Sequence, residues 1–285
     1  MLLRRIFHPS DFSESSKFAF AHAVRIALPS RAQLRLMHVA RRRKGASWYD
    51  FPSARDLLEQ WGLGEAALDV ERILVSGADP LVSLERQVEQ HPTDLIVLAT
   101  RRRNERLPGL RAHISTALAQ RSHAATLFVP AGARGFVSPH DGSVLLREVL
   151  VPTDQRPDAR PAIRAAVELA RLLEAREPRL TSLHVGAWDP PPPATPPNSW
   201  RRQTVRRAGN AVDQILKAAE ELPADVIVLT TEGRRGFLDA LRGSTAERIV
   251  CQAPCPVLAV PARSPQPVRI PELEQTPVSE PQSAC

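Results

Sequence analysis

The stretch IFHPSD at residues 6–11 decides the fold of this chain, because a version of it returns as VLVPTD at residues 149–154. A second stretch, DLIVLAT at residues 94–100, returns as DVIVLTT at residues 225–231. Each copy then closes on an apolar run that ends in Val-Pro. A repeat of this length is too long for the unit of a solenoid protein. We therefore predict two whole domains of one fold in tandem.

Length and composition are typical of a globular protein. The chain has 285 residues, of which 43% are hydrophobic and 24% charged, and this length predicts about two domains. No apolar run approaches the ~20 residues that a membrane-spanning helix needs. Only two apolar residues separate the basic pair Arg4 and Arg5 from His8, which argues against a signal peptide. We expect a cytoplasmic protein with no membrane partner.

The formal net charge is +7, and arginine supplies nearly all of the cations. Basic runs at residues 41–44, 101–103 and 201–207 have the charge needed to bind phosphates. They carry no interleaved aromatic residues and no recognisable DNA-binding motif. We therefore favour a solvated surface over nucleic acid as the explanation of these runs.

The reactive residue types form no catalytic or metal-binding pattern. Cys251, Cys255 and Cys285 have no partner pair at zinc-binding spacing, so we expect no metal site and a buried, apolar Cys255. The chain lacks a Gly-x-Ser-x-Gly motif and the residue order of a Ser-His-Asp triad. We predict no catalytic residues.

Each half alternates short β-rich runs with helical segments, which is the pattern of a parallel α/β fold. In the first half we predict strands near residues 3–8, 33–40, 69–75, 94–99 and 125–129. Helices are predicted between them near residues 14–28, 54–62, 79–91 and 112–122. In the second half we predict strands near residues 147–152, 179–185, 201–207, 225–230 and 256–260. Ser13 and Asp158 are the predicted N-caps of the first helix in each half.

These elements predict a first domain at residues 1–130, a glycine-containing linker at 131–146 and a second domain at 147–262. The tail at 263–285 is rich in proline and poor in large apolar residues, so we expect it to be disordered.

The second half is shorter than the first. The offset between the copies falls from 146 residues at His38 and His184 to 131 at Asp94 and Asp225. This interval of the second half contains a proline run, which cannot be helical. We therefore predict a stiff loop in place of the second helix of that half.

Two aspartates mark the expected ligand crevice. In an open parallel sheet, ligands bind beyond the carboxyl ends of the strands, where the strand order reverses. Asp11 and Asp154 each follow the first predicted strand of their half and are expected to project into this crevice. His38 and His184 are expected to be structural histidines, and Asp94 and Asp225 to cap the turns before the fourth strands.

A glycine pattern in the second half points to an anionic ligand. Gly233 is followed after nine residues by Gly243 and Ser244, which would open the last helix. The free N–H groups and the dipole of a helix N-terminus favour an anion. Gly233 would let the backbone approach a phosphate, and Arg234 would add charge.

These motifs resemble the universal stress protein family. The resemblance rests on PSDFSES at residues 9–15, LMHV at 36–39, GSTAER at 243–248 after Gly233, and APCPVLAVP at 253–261. It spans both halves and leaves out the linker, the proline run and the tail.

The resemblance implies a fold and a function. The fold is a pair of doubly wound domains, each a five-stranded parallel sheet of order 3-2-1-4-5 with helices on both faces. Tandem members pair their halves along the fifth strands, related by a pseudo-twofold axis. The implied function is regulation in the stress response. Some members bind ATP through Gly-x2-Gly-x9-Gly-Ser/Thr, whereas members without this motif do not.

Transferred to this sequence, the family pattern implies a site in the second half and a degenerate one in the first. The implied nucleotide-binding residues are Pro152, Thr153, Asp154, Val185, Leu229, Thr230, Gly233, Arg234, Gly243, Ser244 and Thr245. Thr230 replaces the first glycine and is expected to add a β-branched side chain near the ribose or phosphate. The first half retains Pro9, Asp11 and Val39 but has Arg102 and His113 in place of a glycine and a Ser/Thr, so no ATP is expected there in the usual pose.

Two functions remain open at this stage. One is a regulatory protein that binds ATP or AMP, with or without Mg, mainly in the second domain, and hydrolyses ATP slowly at most. The alternative is a protein-interaction module of the same fold that needs no cofactor and whose partners are unknown. Whether the whole chain also forms a homodimer is left open.

Overall fold

A computed structural model describes residues 3–40, 51–100, 117–119, 122, 124–154, 157–186, 200–231 and 245–262. Within these ranges the strands are β1 (Arg5–Ser10), β2 (Gln33–Ala40), β3 (Val70–Ser76), β4 (Leu95–Thr100), β5 (Ala125–Pro130), β6 (Glu148–Thr153), β7 (Arg179–Val185), β8 (Arg201–Arg207), β9 (Val226–Thr231) and β10 (Val257–Pro261). The longer helices are α1 (Glu14–Ser30), α2 (Ala54–Gln60), α3 (Pro80–Gln90), α4 (Arg160–Leu172), α5 (Ala211–Glu221) and α6 (Thr245–Gln252).

All ten strands join in one sheet, in the order β3-β2-β1-β4-β5-β10-β9-β6-β7-β8. Read from its outer edge toward the middle, each half has the predicted order 3-2-1-4-5. Neighbouring strands within each half run parallel, and the two halves meet where β5 pairs antiparallel with β10. The predicted fold class and the pairing along the fifth strands are therefore confirmed.

Strand positions agree with the sequence prediction to within about two residues at each end. The predicted helix at 112–122 lies mostly outside the described residues, which include only 117–119, helical, and residue 122. The predicted proline loop and the disordered tail also lie outside them. The domain and linker boundaries stay predictions.

The sheet is buried because helices pack on both of its faces. Ile6 and Phe7 are neighbours on β1, both fully buried, and they belong to separate apolar clusters on opposite faces. Helices α1, α2 and α4 pack on the first face, and α3, α5 and α6 on the second. Burial on both faces explains why central strands such as β4 and β9 are continuous apolar runs rather than alternating ones.

The first helices of the two halves begin differently. Ser13 caps α1 as predicted, because its hydroxyl accepts a hydrogen bond from the Ser16 N–H at 3.3 Å. The prediction that Asp158 is the N-cap of α4 was wrong: the cap position is Ala159, which has no side chain able to cap. Asp158 lies one residue before the cap position. Its carboxylate accepts a hydrogen bond from the Arg160 N–H at 2.9 Å.

The same aspartate clamp closes both halves at the opposite end of the sheet. Asp94 accepts hydrogen bonds from the N–H groups of Arg4 and Arg5, at 2.8 and 2.9 Å. Asp225 accepts from Arg147 and Glu148 in the same way, at 2.7 and 2.8 Å. Each carboxylate thus ties the start of a first strand to the turn before a fourth strand.

Residues 131–146 pack against the first half and also reach the second. Phe136 and Val137 are buried, and the Val137 N–H donates to Nε2 of His22 at 3.3 Å. The Arg134 guanidinium lies 3.3 Å from the carboxylate of Asp225. This segment therefore contributes to the core and does not merely connect two domains.

Candidate functional site

The expected crevice lies where β6 separates β7 from β9 in the second half. Thr153 is the last residue of β6, exposed Asp154 follows it, and Val185 ends β7. Leu229 and Thr230 lie near the end of β9. Because parallel strands end at one edge of a sheet, these residues and Pro152 share that edge. The structure therefore groups the described part of the predicted site.

Several predicted residues fall outside this description. Thr245 is the first residue of α6, whereas Gly233, Arg234, Gly243 and Ser244 lie outside the described residues. Arg102 and His113 of the degenerate site lie outside them as well. The roles assigned to these residues stay predictions.

Thr230 forms a hydrogen bond with the start of a helix in the second half. Its buried hydroxyl accepts a hydrogen bond from the Ala162 N–H, in the first turn of α4, at 3.2 Å. The first N–H groups of a helix have no partner within the helix, and α4 has no side-chain cap of its own. Thr230 therefore supplies from β9 the cap that the local sequence of α4 lacks.

His184 presents one ring nitrogen to the backbone and leaves the other without a partner. Its Nδ1 lies 3.0 Å from the carbonyl oxygen of Thr153. A carbonyl only accepts, so Nδ1 carries the proton of this contact, and Nε2 of the neutral ring is an acceptor. Nε2 is buried and has no hydrogen-bond partner in the described part of the chain.

The first half treats the matching histidine differently. His38 uses Nδ1 in the same way, 2.8 Å from the carbonyl oxygen of Ser10. However, the ring of Phe12 stacks on it, with centroids 3.8 Å apart and planes 12° apart. Phe51 lies next to Phe12, at 5.5 Å. These aromatic rings pack against His38, which is partly buried, at the edge where a ligand would enter.

Phe12 reaches this position through an uncommon backbone conformation. Its φ is 62°, in the left-handed region that non-glycine residues rarely adopt. The Phe12 N–H donates to the Ser10 hydroxyl at 3.1 Å, which helps to hold the turn. Asp11 accepts from the Ser13 N–H at 3.0 Å, so its carboxylate takes part in the start of α1.

Sequence reasoning missed both the aromatic cover and the unpartnered histidine nitrogen. Two local differences between the copies carry the signal. Position 12 is Phe, whereas the second copy has Gln155 there. Ala40 ends β2, whereas the second copy has Gly186 after β7.

His8 lies on β1, and the matching residue of the second copy is Val151. Its Nδ1 lies 2.8 Å from the Val97 carbonyl oxygen, and Nε2 lies 3.4 Å from the Ser16 hydroxyl. Burial lowers the pKa of His8 to about 4. Because both ring nitrogens are used inside the protein, we interpret His8 as structural.

The cysteine prediction agrees with the structure where Cys255 is concerned. Cys255 is buried, and burial raises the pKa of its thiol to about 12. Among the described residues, no three His, Cys, Asp or Glu side chains gather as they would around a metal ion. In the same ranges, no helix is both long and apolar enough to span a bilayer.

Fold and site together define a pair of doubly wound α/β domains with a crevice at each strand-order reversal. A model described as the universal stress protein family matches residues 3–130 and 201–261. Since these segments make up more than half of the chain, the protein belongs to the universal stress protein family.

Individual relatives resemble the chain to different extents. It is 44% identical over 52 residues to universal stress protein MJ0531 of Methanocaldococcus jannaschii, a match that covers 18% of this chain and 31% of that protein. A universal stress protein structure from Archaeoglobus fulgidus has a TM-score of 0.60 and 19% identity, over 91% of this chain and 98% of that one. A putative universal stress protein from Pseudomonas aeruginosa has a TM-score of 0.61 and 18% identity, over 91% and 93%. These structural likenesses support the tandem fold.

Proposed function

We propose that this protein is a cytoplasmic regulator of the stress response that binds ATP or AMP, with or without Mg, in its second half. The observation that carries the proposal is the difference between the two crevices. Phe12 covers His38 in the first half, whereas the matching His184 keeps an unpartnered nitrogen. The family resemblance supplies the adenine nucleotide as the ligand class.

Asp154 is the residue that best tests this proposal. It is exposed at the end of β6, where the resemblance implies contact with the adenine side of the nucleotide. We expect Asp154→Ala to weaken AMP and ATP binding about tenfold or more, since a hydrogen bond to a charged group is worth roughly 1.5–3 kcal/mol. Isothermal titration calorimetry and native mass spectrometry would measure affinity and stoichiometry.

Asp11→Ala is the matched control, because Asp11 follows β1 as Asp154 follows β6. It should leave the affinity unchanged, with one nucleotide bound per chain. Two nucleotides per chain, or equal losses in both variants, would contradict a site confined to the second half.

A nucleotide-independent interaction module is the second candidate. It is favoured by β8, which has one strand neighbour among the described residues and exposes Arg201, Arg202 and Arg206. An edge strand with unpaired backbone groups can bind an extended segment of another protein. A pull-down that recovers the same partner with and without AMP, and equally from Asp154→Ala, would favour this function.

A further inference from the structure

The starting point is the surroundings of Nε2 of His184. The ring is held by Nδ1, which donates to the carbonyl oxygen of Thr153 at the end of β6. Gly186 lies just beyond β7, and a Cβ atom at this position would come within 3.5 Å of Nε2. The absence of a side chain at Gly186 therefore leaves space beside the nitrogen.

An unpartnered buried acceptor is costly. Removing a polar atom from water without giving it a hydrogen bond is unfavourable. The matching histidine of the first half, His38, is only partly buried, and the Phe12 ring stacks on it. In the second half no described residue satisfies Nε2. A buried polar group without a partner calls for an explanation, and at a crevice a bound ligand supplies one.

The neighbouring charge limits what this ligand can be. Arg206 is the register partner of His184 on β8, so the two side chains project from the same face of the sheet. A cationic donor would be repelled by Arg206 and by the positive net charge of the chain. A neutral N–H or O–H group on an anionic molecule fits both the acceptor and the charge.

We propose that Nε2 of His184 accepts a hydrogen bond from a neutral donor on the nucleoside part of the bound nucleotide, and so determines ligand specificity. The donor is either the amino group of the base or a hydroxyl group of the ribose. This inference rests on the proposed function, because it assigns a contact within the same crevice.

The experiment combines ligand analogues with histidine variants. The ligands are AMP, purine riboside 5′-monophosphate, which lacks the amino group, and the 2′-deoxy and 3′-deoxy forms of AMP. The proteins are the wild type, His184→Asn, His184→Gln and His38→Asn. Asn keeps an N–H near the position of Nδ1 for the Thr153 carbonyl but has no atom at Nε2, whereas Gln places its amide close to Nε2. Affinities are measured by calorimetry at pH 8, after circular dichroism has shown that each variant is folded.

We expect one analogue to bind the wild type about tenfold more weakly than AMP, which corresponds to one hydrogen bond. In His184→Asn, AMP should bind as weakly as that analogue, so the discrimination disappears. His184→Gln should restore part of it. His38→Asn should discriminate like the wild type, because Phe12 already covers His38.

Different failures have different meanings. If the wild type binds no nucleotide, the proposed function fails and this inference fails with it. If it binds AMP and all analogues equally, or if His184→Asn keeps the full discrimination, the inference alone is overturned. If His184→Asn does not fold, His184→Gln carries the test, and a wild type that binds AMP and all analogues equally still overturns the inference.

Discussion

At the scale of single residues, the two copies differ in how they complete the edge of the sheet. The N-cap of α1 is Ser13, the residue directly before the helix. In α4 the Ala162 N–H is instead bound by Thr230, which is 68 residues away in the chain. Thr230, which stands where the family motif has its first glycine, thus stabilises helix α4. A ligand in this crevice would meet a threonine whose hydroxyl is already engaged.

The helix-capping role of Thr230 predicts a specific loss of stability. Thr230→Val keeps the shape but removes the acceptor, so the free energy of unfolding should fall by about 1–2 kcal/mol, the usual cost of losing an N-cap. Thr230→Ser keeps the hydroxyl and should lose clearly less. Urea unfolding followed by circular dichroism measures both. Equal stability of Thr230→Val and the wild type would show that the cap contributes nothing.

Two buried histidines predict a dependence of stability on pH. Burial lowers the pKa of His8 and of His22 from the ordinary 6.5 to about 4. The unfolded chain therefore binds protons that the native protein does not, so stability is complete above pH 6.5 and is lost as the pH falls toward 4. Between pH 8 and pH 5, we expect a loss of about 2 kcal/mol for each histidine.

The control for this prediction removes one of the two groups. His22→Gln does not titrate and should reduce the loss to about half, measured by urea unfolding at both pH values. A wild type equally stable at pH 8 and pH 5 would contradict the assignment of both histidines as neutral in the folded state.

At the scale of structural elements, the segment of residues 131–146 is held against the first half by hydrogen bonds from the end of α2 and from the residue that follows it. Trp61 donates from its indole N–H to the Pro139 carbonyl oxygen at 3.1 Å. Gln60 donates to the His140 carbonyl oxygen at 2.8 Å. Gly142 lies under the indole ring, where a Cβ would come within 2.5 Å of Trp61.

Two glycines of this segment form a matched pair for mutation. Gly132 and Gly142 have the same φ of 66°, but a Cβ at Gly132 would meet nothing within 4 Å. Gly132→Ala should cost about 1–2 kcal/mol for the left-handed backbone alone. Gly142→Ala should cost a further 1–3 kcal/mol or so, because the methyl group displaces Trp61. Thermal unfolding compares them, and equal costs would mean that this contact is not tight.

At the scale of the whole molecule, one antiparallel strand pair makes a single sheet out of two repeated units. Leu258 on β10 is opposite Leu127 on β5, and both side chains are buried. Helices α1 and α4, one from each half, also pack on the same face of the sheet. Because the halves share their core along this line, we expect them to unfold together.

This coupling is tested at Leu258. Leu258→Ala should lower the free energy of unfolding by about 2–5 kcal/mol, with the amide groups of both halves losing protection in one transition. Hydrogen exchange with mass spectrometry detects this. Leu74→Ala is the control, because Leu74 is 46% exposed on the edge strand and should change stability little. Loss of protection confined to the second half would show that the halves fold independently.

The sequence alone determined what depends on local pattern and on repetition. Strand positions followed from apolar runs, and the role of Ser13 from capping chemistry. For Asp94 and Asp225 the sequence predicted only a role in the turns before the fourth strands, and their bonds to the first strands came from the structure. The strand order came from the family resemblance, since periodicity does not specify which strands become neighbours. The cap of α4 was assigned to Asp158 because sequence reasoning considers only nearby residues.

Only the tertiary structure decided which crevice is covered and which histidine lacks a partner. His38 and His184 occupy equivalent positions in the sequence and bind equivalent carbonyl groups. The difference between them arises because Phe12 folds back over His38 through a left-handed backbone turn, and such a contact depends on how separate segments meet in space. A ring stacked on one histidine and an unsatisfied nitrogen on the other are properties of packing, and the difference between Phe12 and Gln155 in the sequence gains its meaning only from these contacts.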